Sequence, residues 1–167
     1  MLCAVTEREF APVAVKIPIT VIVAEAQNYH RNDNCKLLRM TRILLVEDSE
    51  DVLYLLRLQL EWMGYVVDAV SNATAALEAA SRIRPDVIVS DLGMPDMDGF
   101  ELIRQIRKHR DLSSVPAIAL TGASTDTDIQ RAISSGFTAH LTKPIDAADL
   151  SGKIEQLTVR SIQRKAG

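Results

Sequence analysis

The sequence predicts an α/β fold on a parallel sheet, and three observations carry that prediction. Short apolar runs and longer stretches of helical spacing alternate five times between Arg42 and Arg160. Most of the runs are apolar at every position, as strands covered by helices on both faces must be. The chain has 167 residues, 47% hydrophobic and 25% charged, enough to bury one core without disulfides or a metal.

Each element has its own signal. Ile43–Val46 is a short apolar strand, followed by the acidic cluster Glu47, Asp48, Ser49, Glu50 and Asp51. Val52, Leu53, Leu56, Leu60 and Met63 then recur at helical spacing, and Gly64 closes that helix. Trp62 reads as part core and part surface. Tyr65–Ala69 is a second strand. Alanine-rich Asn72–Arg82 is a second helix, stopped by Arg84-Pro85 because the residue before a proline resists helical geometry. Val87–Ser90 is a third strand, apolar through Val89. Phe100, Ile103 and Ile106 mark a third helix that Asp98 caps and that ends near His109. Pro116–Leu120 is a fourth strand. Asp126 or Asp128 caps a helix burying Ile129, Ala132 and Ile133 and closed by Gly136. Ala139–Leu141 is a short fifth strand, and Asp146 caps a last helix with Leu150, Ile154 and Leu157 on one face.

Residues 1–40 read differently. They hold both cysteines, Cys3 and Cys35, too few for a disulfide framework or a four-ligand zinc site. Val13, Val15, Ile17, Ile19 and Val21 alternate as in a strand, but Pro18 demotes it to an edge, and Glu7 and Glu9 stand where a secretory signal wants basic residues. Met40 precedes the first strong strand, so this segment is either sequence upstream of the true start or an added strand or docking segment. The expected organisation is an extension over 1–40, one domain over 41–160 and a tail over 161–167. A net charge of −3 lacks the basic excess that nucleic-acid binding asks for. No apolar run nears the roughly 18 residues of a membrane span. These features predict a soluble, cytoplasmic protein.

In an open parallel sheet, ligands bind beyond the carboxyl ends of the strands, beside the switch in strand order. The residues there are Glu47 and Asp48 after the first strand, Asp91 after the third, Thr121 after the fourth, and Lys143-Pro144 after the fifth. If the first and third strands are neighbours, three carboxylates share one pocket. Two unit charges about 5 Å apart repel by roughly 3 kcal/mol at an effective dielectric of 20. A divalent cation and the Lys143 ammonium together offset that charge, and oxygen donors without His or Cys point to Mg2+. Glu50 and Asp51 read as solvated acids that favour a helix N-terminus.

The stretches Arg42–Ser49 (RILLVEDS), Asp86–Phe100 (DVIVSDLGMPDMDGF), Pro116–Gly122 (PAIALTG) and Gly136–Pro144 (GFTAHLTKP) together resemble the receiver domain of two-component response regulators, from Arg42 to about Arg160. The resemblance implies a flavodoxin-like (βα)5 doubly wound sheet of strand order 2-1-3-4-5. It implies Asp91 as phosphoacceptor, Asp48 as a direct Mg2+ ligand, Glu47 as a ligand through water, and the main-chain carbonyl of Gly93 as another. Asp91 then takes a phosphoryl group from a phosphohistidine, Lys143 reaches one phosphoryl oxygen and the Thr121 hydroxyl another. The implied phosphodonor is a histidine kinase or histidine phosphotransfer protein. A cis Lys143–Pro144 bond is implied too.

The sequence departs from that family at one informative place. His140 stands where many receivers carry a switching aromatic residue; it reads as a partly buried structural histidine and is similar to receivers of hybrid kinases. Gly93 and Ala123, two residues beyond Asp91 and Thr121, carry no side chain that could position or block an attacking water. The leading expectation is therefore a stand-alone phosphorelay receiver acting through a partner protein rather than as an enzyme on other substrates. A Mg2+-dependent aspartyl-phosphate phosphohydrolase and a phosphorylation-independent interaction module are the alternatives.

Overall fold

The structure, a computed structural model, describes residues 41–122 and 126–165, the side chains of Asp126 and of residues 160–165 excepted. The expected extension over 1–40, and Ala123, lie outside the described residues. Five βα units follow in order: β1 (Arg42–Val46), α1 (Glu50–Trp62), β2 (Val66–Val70), α2 (Ala73–Ile83), β3 (Val87–Asp91), α3 (Gly99–Lys108), β4 (Ala117–Thr121), α4 (Asp126–Ser135), β5 (Ala139–Thr142) and α5 (Ala147–Lys165). All strand pairs are parallel, and the sheet order is β2-β1-β3-β4-β5. The expected flavodoxin-like architecture is the one observed. It seats β1 beside β3, as a shared carboxylate pocket requires.

Successive strand residues point to opposite faces, and the core divides accordingly. Leu44, Val46 and Ile88 pack with Ala76 and Ala80 of α2 and with Leu102, Ile103 and Ile106 of α3. Ile43, Leu45, Val87, Val89, Ile118 and Leu120 pack with Leu56 and Leu60 of α1 and with Leu150, Ile154 and Leu157 of α5. Strands β3 and β4 are buried throughout, whereas the edge strand β2 is half-buried.

Caps explain the helix starts. The Asn72 side chain accepts from Ala75 N at 2.8 Å, Asp98 from Glu101 N at 2.7 Å, and Asp146 from Ala148 N at 2.7 Å. At the other ends, Gly64 (φ +92) and Gly136 (φ +117) hold the left-handed conformation open to glycine. The Lys143–Pro144 peptide is cis. No helix among the described residues is long and apolar enough to cross a membrane.

Some expectations need correction. Trp62 is not part core; it is 86% exposed, because it stands on the side of α1 opposite the buried Leu60. Val52 and Met63 are exposed as well, leaving Leu56 and Leu60 as the buried residues of α1. In α4, Ile133 is exposed and Ile129 half-buried, so Ala132 carries the packing. Asp126 is the first residue of α4 and Asp128 lies two residues further in, so neither is the cap expected before it.

Candidate functional site

The strand registers set the site. Val46 of β1 pairs with Ser90 of β3, so Glu47 and Asp91 emerge side by side at the carboxyl end of the sheet. Asp91 pairs with Leu120, which brings Thr121 alongside. Lys143 N donates to the Thr121 carbonyl at 2.7 Å, anchoring the chain just beyond β5 at the same end. Asp91 and Thr121 are the last residues of their strands rather than the first loop residues, one position earlier than the sequence reading placed them.

The predicted side chains converge. Lys143 Nζ donates to Glu47 Oε2 at 2.7 Å, to Glu47 Oε1 at 3.0 Å and to Asp91 Oδ2 at 3.0 Å. Glu47 is 1% exposed and Asp91 7%, while Asp48 faces solvent. One oxygen from each of Glu47, Asp48 and Asp91 lies within 4.8 Å of the others. Thr121 is buried at the same edge. Gly93 N donates to Asp91 Oδ1 at 3.3 Å, and the space where a Gly93 side chain would start is open.

Electrostatics follow from this packing. Burial pushes the Glu47 carboxyl above the ordinary carboxylate range; the Lys143 hydrogen bond pulls it partly back, and the Asp91 charge pushes it up again. Burial pulls the Lys143 ammonium down, but its bonds to Glu47 and Asp91 outweigh that and hold it above the usual lysine value. The cleft therefore keeps a fixed cation against two carboxylates, with a third at its mouth.

Six oxygen ligands at about 2.1 Å from one centre lie roughly 3–4 Å apart. The three carboxylate oxygens, within 4.8 Å of one another, are near that spacing. An all-oxygen acidic donor set open to solvent on one side suits a hard divalent cation that keeps several waters.

Two features of the site were not legible beforehand. Lys143 engages Glu47 with two bonds as well as Asp91, a contact that spans 96 residues of sequence. Gly99 is pressed against the end of β3: its N–H donates to the Leu92 carbonyl at 3.1 Å, and a Cβ there would overlap the Asp91 carbonyl oxygen and stand 2.9 Å from Leu92 Cα. The DG pair at Asp98-Gly99 was the available signal. His140 sits in mid-β5, paired with Ala119 and half-buried, as a structural histidine would be.

A doubly wound five-stranded sheet with an acidic cleft and a lysine at its switch point defines a signal-receiver type of protein. Residues 43–155 match the response regulator receiver domain family, and the chain belongs to it. It is 44% identical over 114 residues to an uncharacterized 14.6 kDa protein from the sodA1 3′ region of Leptolyngbya boryana, covering 68% of this chain and 87% of that one. It is 34% identical to hybrid signal transduction histidine kinase D of Dictyostelium discoideum, over 74% of this chain and 8% of the kinase. It spans about half the length of the transcriptional regulators it matches. The solved structure of Vibrio cholerae chemotaxis protein CheY4 superposes with a TM-score of 0.69 at 30% identity, covering 71% of this chain and 98% of that one.

Receiver domains are signalling modules of two-component systems. They bind Mg2+ at an acidic pocket and interact with histidine kinases or phosphotransfer proteins, and this chain has its acidic cluster in that place.

Proposed function

We propose that this chain is a phosphorelay receiver that takes a phosphoryl group from a phosphohistidine onto Asp91. An Asp91 carboxylate oxygen attacks phosphorus, the P–N bond breaks, and the imidazole nitrogen leaves with the electron pair. The observation that supports this most is the Lys143 ammonium, within 3.0 Å of both Glu47 and Asp91 in a cleft holding three carboxylates.

Asp48 and Asp91 would hold Mg2+ directly, the Gly93 carbonyl would add a ligand, and Glu47 would act through water. When bound, the ion supplies positive charge against the phosphoryl oxygens. Glu47, buried and bonded to Lys143, fixes the ammonium beside the nucleophile. Lys143 keeps one point charge aimed at the position an incoming oxygen takes. The Thr121 hydroxyl donates to another phosphoryl oxygen. That bond exists only after transfer, so it biases an equilibrium between two arrangements of the chain beyond β4.

The likeness to a hybrid kinase supports a phosphodonor of the histidine kinase or histidine phosphotransfer class. Output passes to a protein partner through the face of α4, β5 and α5. Residues 41–160 form the receiver unit in this reading, apart from the extension over 1–40 and the tail over 161–167, and the cytoplasmic location expected from composition belongs to it.

Incubation with Mg2+ and acetyl phosphate, followed by intact mass, tests the reading. One added phosphoryl group, absent in EDTA and in Asp91→Asn, is expected. An unmodified wild-type chain, or modification that persists in Asp91→Asn, overturns it.

A further inference from the structure

Beyond Asp91 the chain runs through residues 92–98 to α3. Arg131, in the middle of α4, reaches across to the start of that helix. Its guanidinium carbon lies 4.0 Å from the centre of the Phe100 ring, and its Nη2 lies 3.6 Å from Asp98 Oδ2. Both contacts fall on the start of α3.

That start is fastened to the phosphoacceptor. Asp98 caps α3 through its other oxygen, at 2.7 Å from Glu101 N. The next residue, Gly99, donates to the Leu92 carbonyl at 3.1 Å and has no room to move toward Asp91. A shift at the head of α3 is therefore a shift of the Asp91 backbone. Helix α4, for its part, buries only Ala132 and Ser135 among its described side chains, so few other contacts fix its place. An ion pair this exposed adds little to stability, and Phe100 is buried in the core with or without it. The consequence of the contact is geometric: a cation held between a ring face and a carboxylate sets the distance between two helices.

Building on the reading of Asp91 as phosphoacceptor, we propose that Arg131 is a positioning residue tying the Asp91 loop and α4 into one unit, so that occupancy at Asp91 reaches α4 through Asp98 and Phe100. The coupling is reciprocal, as linkage between two sites must be.

Hydrogen exchange of the full chain, with and without Mg2+ and beryllium fluoride as a phosphoryl mimic, tests it in wild type, Arg131→Met, Arg131→Lys and Asp98→Asn. In wild type the mimic slows exchange in residues 92–102 and in α4. In Arg131→Met, resting exchange rises three- to tenfold in both segments, and the α4 response to the mimic falls below half. Labelling of Asp91 by acetyl phosphate slows three- to tenfold. Arg131→Lys, which keeps the charge over the ring, retains most of the wild-type behaviour. Asp98→Asn, which keeps a capping side chain, reproduces part of the loss.

The proposal is overturned if Arg131→Met alters α4 alone, with residues 92–102 and the labelling rate within 1.5-fold of wild type. It is overturned equally if Lys behaves as Met does. A wild-type chain that is neither labelled nor responsive to the mimic removes the phosphoacceptor reading and this role with it. A labelled wild type with an unaltered Met variant removes the Arg131 role alone.

Discussion

Replacing Lys143 with Met removes an ammonium bonded to two buried carboxylates and keeps most of the side-chain volume. The oxygens of Glu47 and Asp91 lie within 4.8 Å of each other, where two unit charges repel by about 3.5 kcal/mol at an effective dielectric of 20. Removing one partner of a buried ion pair costs about 3–5 kcal/mol, and the 28% exposure of the Lys143 side chain favours the lower end. We expect a loss of about 3 kcal/mol at pH 7.5 in EDTA, read as a urea midpoint lower by about 1.5–2 M. The pH dependence has a definite sign. Glu47 is already raised in the fold by burial, and loss of Lys143 raises it further. A carboxyl raised in the fold stabilises below its unfolded value and loses that contribution as pH rises through the folded one. The deficit of Lys143→Met therefore shrinks toward pH 5 and is full at pH 7.5. Mg2+ restores more stability to the variant than to wild type, because it replaces the missing positive charge. Equal urea midpoints in EDTA at pH 7.5, or a deficit that widens toward pH 5, would refute the reasoning.

Other consequences are as definite. Arg107 is half-buried and donates to the Gly136 carbonyl at 3.0 and 2.8 Å and to the Leu112 carbonyl at 2.9 Å, tying α3 to the loops after α4 and α3; Arg107→Met costs about 1–3 kcal/mol by urea unfolding, since partly buried acceptors lose their donors. Gly99→Ala forces a Cβ into the Asp91 carbonyl, costing about 1–3 kcal/mol or more. It also cuts acetyl-phosphate labelling by about 100-fold, as displacement of a reacting group does. Gly93→Asn meets open space, so stability is unchanged within about 0.5 kcal/mol, while the acyl-phosphate half-life followed by intact mass changes; an unchanged half-life contradicts a lifetime set by the bare site.

Much of the fold was legible because parallel strands buried on both faces leave unbroken apolar runs, as Val87–Val89 and Ala117–Leu120 do. The site was legible for a related reason: strand ends are readable, and a parallel sheet gathers them at one edge. Periodicity was less informative on the outer helices. In α1 the spacing found the stripe that meets the sheet, Leu53, Leu56 and Leu60, but not its limits, since the equally apolar Val52 and Met63 are exposed. In α4 the small Ala132 is the buried contact while the larger Ile133 faces out, the reverse of a size-based expectation. The roles of Arg107 and Arg131 depend on tertiary neighbours, since an arginine in sequence looks the same whether its guanidinium caps a carbonyl or lies in water. Gly99 shows the same limit, because only the backbone it touches reveals why a side chain is excluded.

The central claim is that Asp91 becomes the acyl phosphate. Borohydride reduces such a mixed anhydride to an alcohol and so marks the residue that carried it. After incubation with acetyl phosphate and Mg2+, reduction and peptide mapping should find the mark at Asp91 alone; a mark at Asp48 or any other carboxylate, or none at all, contradicts the account.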